Sequence, residues 1–458
     1  MLLRSSTIFL LLTSNVLGDT LTLSDILVEV KQYSPVILAA LQERETAKAD
    51  LLSAEGSFDP TFRIDSNIDA KGYYDGRRTS TTIEQPTTLW GAKIFGGYAL
   101  SRGDFPLYDG KMETGQDGEI IGGIEVPLLR DGPIDRRRAN ITKSELGQNI
   151  AEANITERYI LLSRAAKNIY LDWVAAGQRK KIFKTLLDVA NARTKQLSGR
   201  AKAGDIAEFD VTDNKRIELQ REAQLISTER QLRQAALELS LYHRGKDGDS
   251  IVPVDSELPT SLAKVNSSDS INEQEFIEKA FKQRPEMQRI ASQIDQNKIE
   301  RDFQLNQQST KLDLRLTASN DLGEGVQAKD ETEIDVGIRI EIPLQTRTAH
   351  GRVKAAEAKI AELEKLNKFI VDRVRTDVKD SIVAVKLAKE RHRAGTDELK
   401  AARKLEEGER TRFELGDSNL IFVNLREQTA AEAATRELDA LLDYHKANAA
   451  LKAALGEF

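Results

Sequence analysis

Arg412-Phe413-Glu414-Leu415-Gly416-Asp417 closes one long helical pattern and opens another. Arg200-Ala201-Lys202-Ala203-Gly204-Asp205, about 212 positions earlier, does the same. Glycine is the residue that takes the left-handed backbone at a helix end without steric cost, and an aspartate just after it is suited to cap the helix that follows. The chain therefore carries two copies of a long antiparallel helical hairpin. A repeat of this kind settles the architecture before any single motif does.

The composition agrees. Of 458 residues 31% are charged and only 5% are aromatic, so long helices with water on two sides fit better than large compact cores. Lysines and arginines alternate with acids and read as solvated helix faces, and a net charge of −6 gives no case for nucleic acid. The absence of cysteine excludes disulfides, thiolate zinc sites, a cysteine nucleophile and a lipidated N-terminal cysteine. Arg4, the apolar run Ile8-Phe9-Leu10-Leu11-Leu12 and the small or apolar Val16-Leu17-Gly18 form the pattern of a cleaved secretory signal over residues 1–18. No later stretch approaches 18 apolar residues, so a membrane would have to be crossed by strands.

Read in order, Leu21 to Ser57 is helical, with Pro35 starting a second helix after a break. The period then changes to two: Phe62, Ile64, Ile68 and Ala70 alternate with Arg63, Asp65, Asn67 and Asp69. Trp90 to Leu100 and Ile120 to Leu128 continue the pattern. From Gly132-Pro133 the chain is helical to about Leu197, on the order of 95 Å at 1.5 Å per residue, and again from Ile206 to Tyr242. Residues 19–245 thus form a first repeat, with strands within 58–130 and a hairpin over 133–245. A Gly-, Pro- and Ser-containing linker follows at 246–272. The second repeat, 273–458, has Pro285 where the first has Pro35, strands within 311–345 and a hairpin over 347–456. Its clearest strand is Ile334, Val336, Ile338, Ile340, Ile342 and Leu344 on alternate positions. Glu341-Ile342-Pro343-Leu344 mirrors Glu125-Val126-Pro127-Leu128.

Strands with one apolar face are not stable alone in water, and in lipid their edges must close into a barrel. The few strands of one chain are too few to enclose a usable lumen, so several copies share one.

The two tip motifs, the paired Pro127-Leu128 and Pro343-Leu344 exits and the Ala-rich last helix to Gly456 together resemble the TolC-type outer-membrane efflux factor family, over essentially the whole mature chain. The resemblance implies a mainly α protein with transmembrane β structure. It implies a homotrimer whose strands form one outer-membrane β-barrel and whose helices form a long periplasmic α-barrel. Such proteins are passive exit ducts of efflux pumps or type I secretion systems. Their hairpin tips, here Arg200, Gly204, Asp205, Arg412, Gly416 and Asp417, dock a periplasmic adaptor (membrane-fusion) protein and an inner-membrane pump.

Two departures stand out. Acidic residues one and two turns past the second tip glycine ring the constriction in that family, whereas this chain has Phe422 and Leu425 there, with Asp210 and Asp213 at the same offsets in the first hairpin. An apolar constriction closing by dewetting is the alternative. Phe422 is thus either a gate or a core contact of the helix start. Asp210 and Asp213 either face the tunnel or are paired and solvated. Second, the strand region 61–128 is about twice as long as 312–344, which leaves room for an extra strand hairpin or long external loops. Tyr73, Tyr74, Trp90 and Tyr98 are either a membrane-interface girdle or ordinary barrel packing. His243, His350, His392 and His445 lack metal-ligand spacing, and no nucleotide, nucleophile or metal motif occurs, so no enzyme activity and no cofactor is expected. The competing function is a soluble periplasmic coiled-coil adaptor, which predicts a single hairpin between small β-domains.

Overall fold

The computed structural model describes residues 20–105, 113–265, 272–324 and 331–458. The signal-peptide expectation for residues 1–18 lies outside them. Helix α1 (Leu23–Tyr33) opens with a capping box in which the Thr22 hydroxyl and the Asp25 carboxylate satisfy each other's backbone N–H. Extended Ser34 ends it, and Pro35, lacking an N–H, starts α2 (Pro35–Glu55). Strands β1 (Thr61–Ile68), β2 (Arg77–Pro86), β3 (Lys93–Arg102) and β4 (Glu119–Pro127) precede α3 (Arg136–Lys202) and α4 (Glu208–Leu239). The second half repeats the order: α5 (Glu273–Gln283), α6 (Pro285–Asn306), β5 (Lys311–Asp321), β6 (Glu333–Glu341), α7 (Arg347–Glu414) and α8 (Leu420–Ala454). Among the described residues the first half therefore carries four strands to the second half's two. The long strand region contains an added hairpin of β2 and β3 joined by the tight turn Thr87–Ala92.

The chain divides into two compact units, each drawing on both halves. One takes the chain up to Ala39, Thr156–Arg284 and Arg373–Phe458. Its core is built by Ile26 and Val30 of α1, Trp173 and Val174 of α3, Leu232 and Leu239 of α4, and Leu438 and Leu442 of α8. The Tyr170 hydroxyl donates to the Leu21 carbonyl at 2.9 Å, fixing the start of α1 to α3. The described linker residues pack here too, with Leu262 in the core and Leu21 N–H donating to the Glu257 carbonyl. His243 and His445 act locally in this unit. His243 Nδ1 lies 2.7 Å from the Glu29 carboxylate, and His445 Nε2 lies 2.7 Å from the Ala263 carbonyl.

The other unit, Ala40–Ile155 and Pro285–Asp372, holds the sheet. Its six strands are antiparallel in the sequential order β1-β2-β3-β4-β5-β6. The sheet is open in one chain: β1 and β6 each have one unpaired edge. Where β4 hands over to α3, the Leu128 N–H still donates to the Leu312 carbonyl at 2.7 Å. Asp135 then caps α3, accepting from the Arg137 and Arg138 N–H groups at 2.8 and 3.1 Å.

Candidate membrane sheet and hairpin tips

Because strand side chains alternate, the register fixes which residues share a face. Phe62 opposes Ile83, Ile94 opposes Ile124, Val126 opposes Leu314, and Leu316 opposes Val336, so one face is predominantly apolar, with β2 adding Thr79 and Thr81 beside Ile83. The other carries Arg63, Asp65, Glu84, Lys93, Glu125, Arg315, Asp335 and Arg339 in the same registers.

Burial is inverted relative to a protein in water. Every buried residue of the six strands, Asp313, Thr317, Ser319, Ala99 and Ser101 among them, belongs to the polar face. The exposed large residues, from Phe62 at 64% to Ile338 at 66%, belong to the apolar one. The polar face makes its own contacts: Lys93 Nζ lies 3.3 Å from Glu84, Lys311 Nζ lies 3.2 Å from Asp313, and the Arg315 guanidinium sits 4.5 Å over the Phe95 ring. The strands are 8 to 11 residues long, close to the roughly 9–11 that a tilted strand needs to cross hydrocarbon. No described helix is long and apolar enough to do so.

The four singled-out aromatics fall at the two ends of this sheet. Trp90, half exposed and at positive φ, sits in the β2–β3 turn on the side where the helices join. Tyr73 and Tyr74 are exposed in the β1–β2 loop at the opposite end, and the Tyr98 hydroxyl donates to the Asp117 carbonyl in the β3–β4 loop at 2.6 Å.

Both tips close in the same way. Gly204 and Gly416 have φ of 81° and 80°. At the first, the Gly204 and Asp205 N–H groups donate to the Ala201 and Arg200 carbonyls; at the second, the Gly416 and Asp417 N–H groups donate to those of Phe413 and Arg412. This double bond pattern satisfies carbonyls that a helix end otherwise leaves bare. The expectation that Asp205 and Asp417 cap the next helix is corrected. Ala207 and Asn419 occupy the N-cap positions, two residues beyond each aspartate, because Asp205 and Asp417 still belong to the turn that closes the previous helix. Arg412 instead reaches over its own tip, donating to the Asp417 carbonyl at 3.1 Å.

Beyond the second tip, Phe422 and Leu425 are about half exposed, at 49% and 53%, so neither is a buried contact within the chain. Asp210 is exposed in the first turn of α4, and Asp213 accepts from Arg216 Nε at 3.1 Å.

One cluster was not singled out by sequence. Glu427 of α8 is almost wholly buried and accepts from Arg193 of α3 at 3.0 Å and from Arg221 of α4 at 3.0 Å. Arg193 also donates to Asn424 at 2.6 Å and Arg221 to the Leu186 carbonyl at 2.9 Å. Burial pushes the Glu427 carboxyl up, but Arg193 and then Arg221 more than offset it and hold it below the usual range. Glu427 shares a helix face with Val423, Ala430 and Ala431, all buried, but a charged residue on a long helix reads in sequence as a solvated one.

Among the described residues no group of three or more His, Asp or Glu is placed to hold a metal ion.

No family model matches the chain, and no curated protein matches it. Solved structures do. The outer-membrane channel OprN superposes with a TM-score of 0.67 at 14% identity, covering 95% of this chain and 90% of its own. VceC of Vibrio cholerae gives a TM-score of 0.65 at 14% identity, over 95% of this chain and 96% of its own. The open-state MtrE outer membrane channel of Neisseria gonorrhoeae gives 0.65 at 14% identity, over 95% and 89%. With a sheet turned apolar side out and two long helical hairpins in repeated order, the chain has the fold of the TolC-type outer-membrane efflux channels.

Proposed function

We propose that this chain is the outer-membrane channel of an efflux or secretion system, a passive duct that passes from the outer membrane into the periplasm. The observation that carries the reading is the inverted sheet: an apolar face left exposed and a polar face that holds the buried strand residues, in the same chain as two long hairpins. In lipid the first is favourable and the second lines a wet lumen. A soluble adaptor needs closed small β-domains, and an open sheet with this exposed apolar band is not one.

In this reading three copies complete the barrel, and Trp90 lies at one headgroup level while Tyr73, Tyr74 and Tyr98 lie near the other. The tips at Arg200, Gly204 and Asp205 and at Arg412, Gly416 and Asp417 meet a periplasmic adaptor coupled to an inner-membrane pump, which supplies the energy. Phe422 and Leu425, one and two turns past Gly416, form an apolar constriction, with Asp210 and Asp213 contributing weak cation preference beside it. Adaptor docking moves the second hairpin outward and wets the constriction.

The test is conductance of the purified protein in planar bilayers. Small steps are expected for the native chain and steps several-fold larger for Phe422→Ala. No steps from either protein would overturn the channel reading, and unchanged steps would remove Phe422 from the gate.

A further inference from the structure

Two strand edges of the sheet remain open, and their sequences specify how they pair. We infer that β1 of one copy pairs antiparallel with β6 of a neighbouring copy, in the register that sets Arg63 opposite Glu341 and Asp65 opposite Arg339. The inference deepens the channel reading and rests on it for the presence of several copies.

Three independent features select this arrangement. The first is direction and facing. An even number of sequential antiparallel strands leaves β1 and β6 running oppositely, so the seam continues the alternation of the sheet. The register places Phe62 by Ile342, Ile64 by Ile340 and Ile68 by Val336, so the apolar face crosses the seam unbroken. A slip of one residue would turn every one of these side chains to the wrong side.

The second is charge. Along the polar face β1 reads Arg63, Asp65, Asn67, and β6 read backwards from its end is Glu341, Arg339, Gly337. The inferred register matches both charges with opposite ones. A slip of two residues one way puts Arg63 against Arg339, and a slip the other way puts Asp65 against Glu341. Like charges directly opposite each other destabilise a strand pair. Glu341 already accepts from Arg130 at 3.0 Å, and its carboxylate has lone pairs for a second donor.

The third is stagger. Following partners from Thr61 through Glu84, Phe95, Gly123 and Thr317 arrives at Asp335, six residues above Glu341, the helix-side end of β6. The inferred seam carries the walk to position 69 of the next copy, eight residues above its start. Eight residues at about 3.3 Å over six spacings of about 4.8 Å tilt the strands by about 42°, inside the range of roughly 35–45° found for membrane barrels. By the same geometry one slipped register gives about 35°, at the lower bound of that range, and the other about 49°, outside it; the stagger excludes the second slip, and the charges exclude both. Three copies then enclose eighteen strands, because the β2–β3 hairpin gives each chain six.

The chain has no cysteine, so paired cysteines report the seam without background. Asn67→Cys with Gly337→Cys is in register; Asn67→Cys with Asp335→Cys and Asn67→Cys with Arg339→Cys are the two slips. After oxidation in isolated envelopes, the in-register pair is expected to give covalent oligomers on a denaturing gel at least tenfold more efficiently than either slip. A slip pair that links better overturns the register. A disulfide confined to monomers overturns the inter-copy seam, because it would mean that one chain closes on itself. A readout free of cysteines is the charge at one seam position: Asp65→Arg, which sets like charges at Arg339 and faces only Ser80 within its own chain, is expected to lower the oligomer fraction well below that of Asp65→Asn. Equal oligomer fractions for the two variants also overturn the register. The mass of the native particle separates the two levels, since an oligomer without these effects fails only the seam, while a monomer fails the channel reading itself.

Discussion

Arg221 and Glu427 meet 3.0 Å apart with side chains only 3% and 1% exposed, a buried ion pair between the first and second hairpins. Arg193, largely buried at 12% exposure, shares the same carboxylate, so one acid is matched by two guanidinium groups. Such clusters are costly to break, because removing one partner strands the others without solvent. Glu427→Gln should lower unfolding stability by about 3–5 kcal/mol, measured by denaturant titration in detergent. Loss comparable to that of an exposed pair, such as after Glu398→Gln, would contradict the burial of the cluster.

The same pair sets an acid dependence. The folded Glu427 carboxyl lies below its unfolded value, so its contribution is fully present above the unfolded pKa and is lost as pH falls through the folded one. Glu406 behaves oppositely. Burial, together with the nearby Glu427 charge, raises it, so its contribution declines as pH rises from the unfolded pKa through the folded one. Stability measured from pH 6 downward should therefore fall less steeply in Glu427→Gln than in the native chain. Parallel curves would remove the linkage.

The sheet faces predict an asymmetric response to one substitution. Ile124 lies mid-strand on the apolar face and Ser80 mid-strand on the polar face, opposite Asp65. An arginine on the lipid side of a barrel costs about 2–4 kcal/mol at the midplane, whereas a lumen position tolerates it. Ile124→Arg should reduce assembled protein in the outer membrane several-fold, and Ser80→Arg should leave it near the native level. The reverse order would mean that the faces are assigned backwards.

At the tips, a Cβ on Gly416 would meet nothing within 4 Å, so only its φ of 80° opposes substitution. Gly416→Ala should cost about 1–2 kcal/mol of local backbone energy, and Gly416→Asn less, since Asn tolerates the left-handed region. Hydrogen exchange across residues 409–420 reads this directly. Equal protection in all three proteins would mean that the left-handed closure is not maintained in solution.

Much of this was legible in the chain itself. The two glycines at the tips, the prolines opening α2 and α6 and the alternation along β6 mark their elements because each is a local steric or periodic requirement. Strand β2 was not legible: its apolar-side positions are Thr79, Thr81 and Ile83, so the period of two carries almost no hydropathy contrast. The added hairpin is recognised only through its pairing with β1 and β3. Glu427, Arg193 and Arg221 were hidden for the opposite reason. Charged residues on long helices are ordinarily solvated, and only the third-dimensional meeting of α3, α4 and α8 makes these three buried. Phe422 and Leu425 are about half exposed, so packing within the chain does not fix a role for either.

The most direct test of the central claim is the location and mass of the native protein. Envelopes are separated into inner and outer membrane and soluble periplasm, and the detergent-extracted particle is weighed by light scattering or native mass spectrometry. The account predicts recovery in the outer membrane as a particle of about three times the 51.1 kDa chain, less any cleaved signal. A soluble periplasmic monomer would contradict it, because the apolar face of the sheet would then have to live in water.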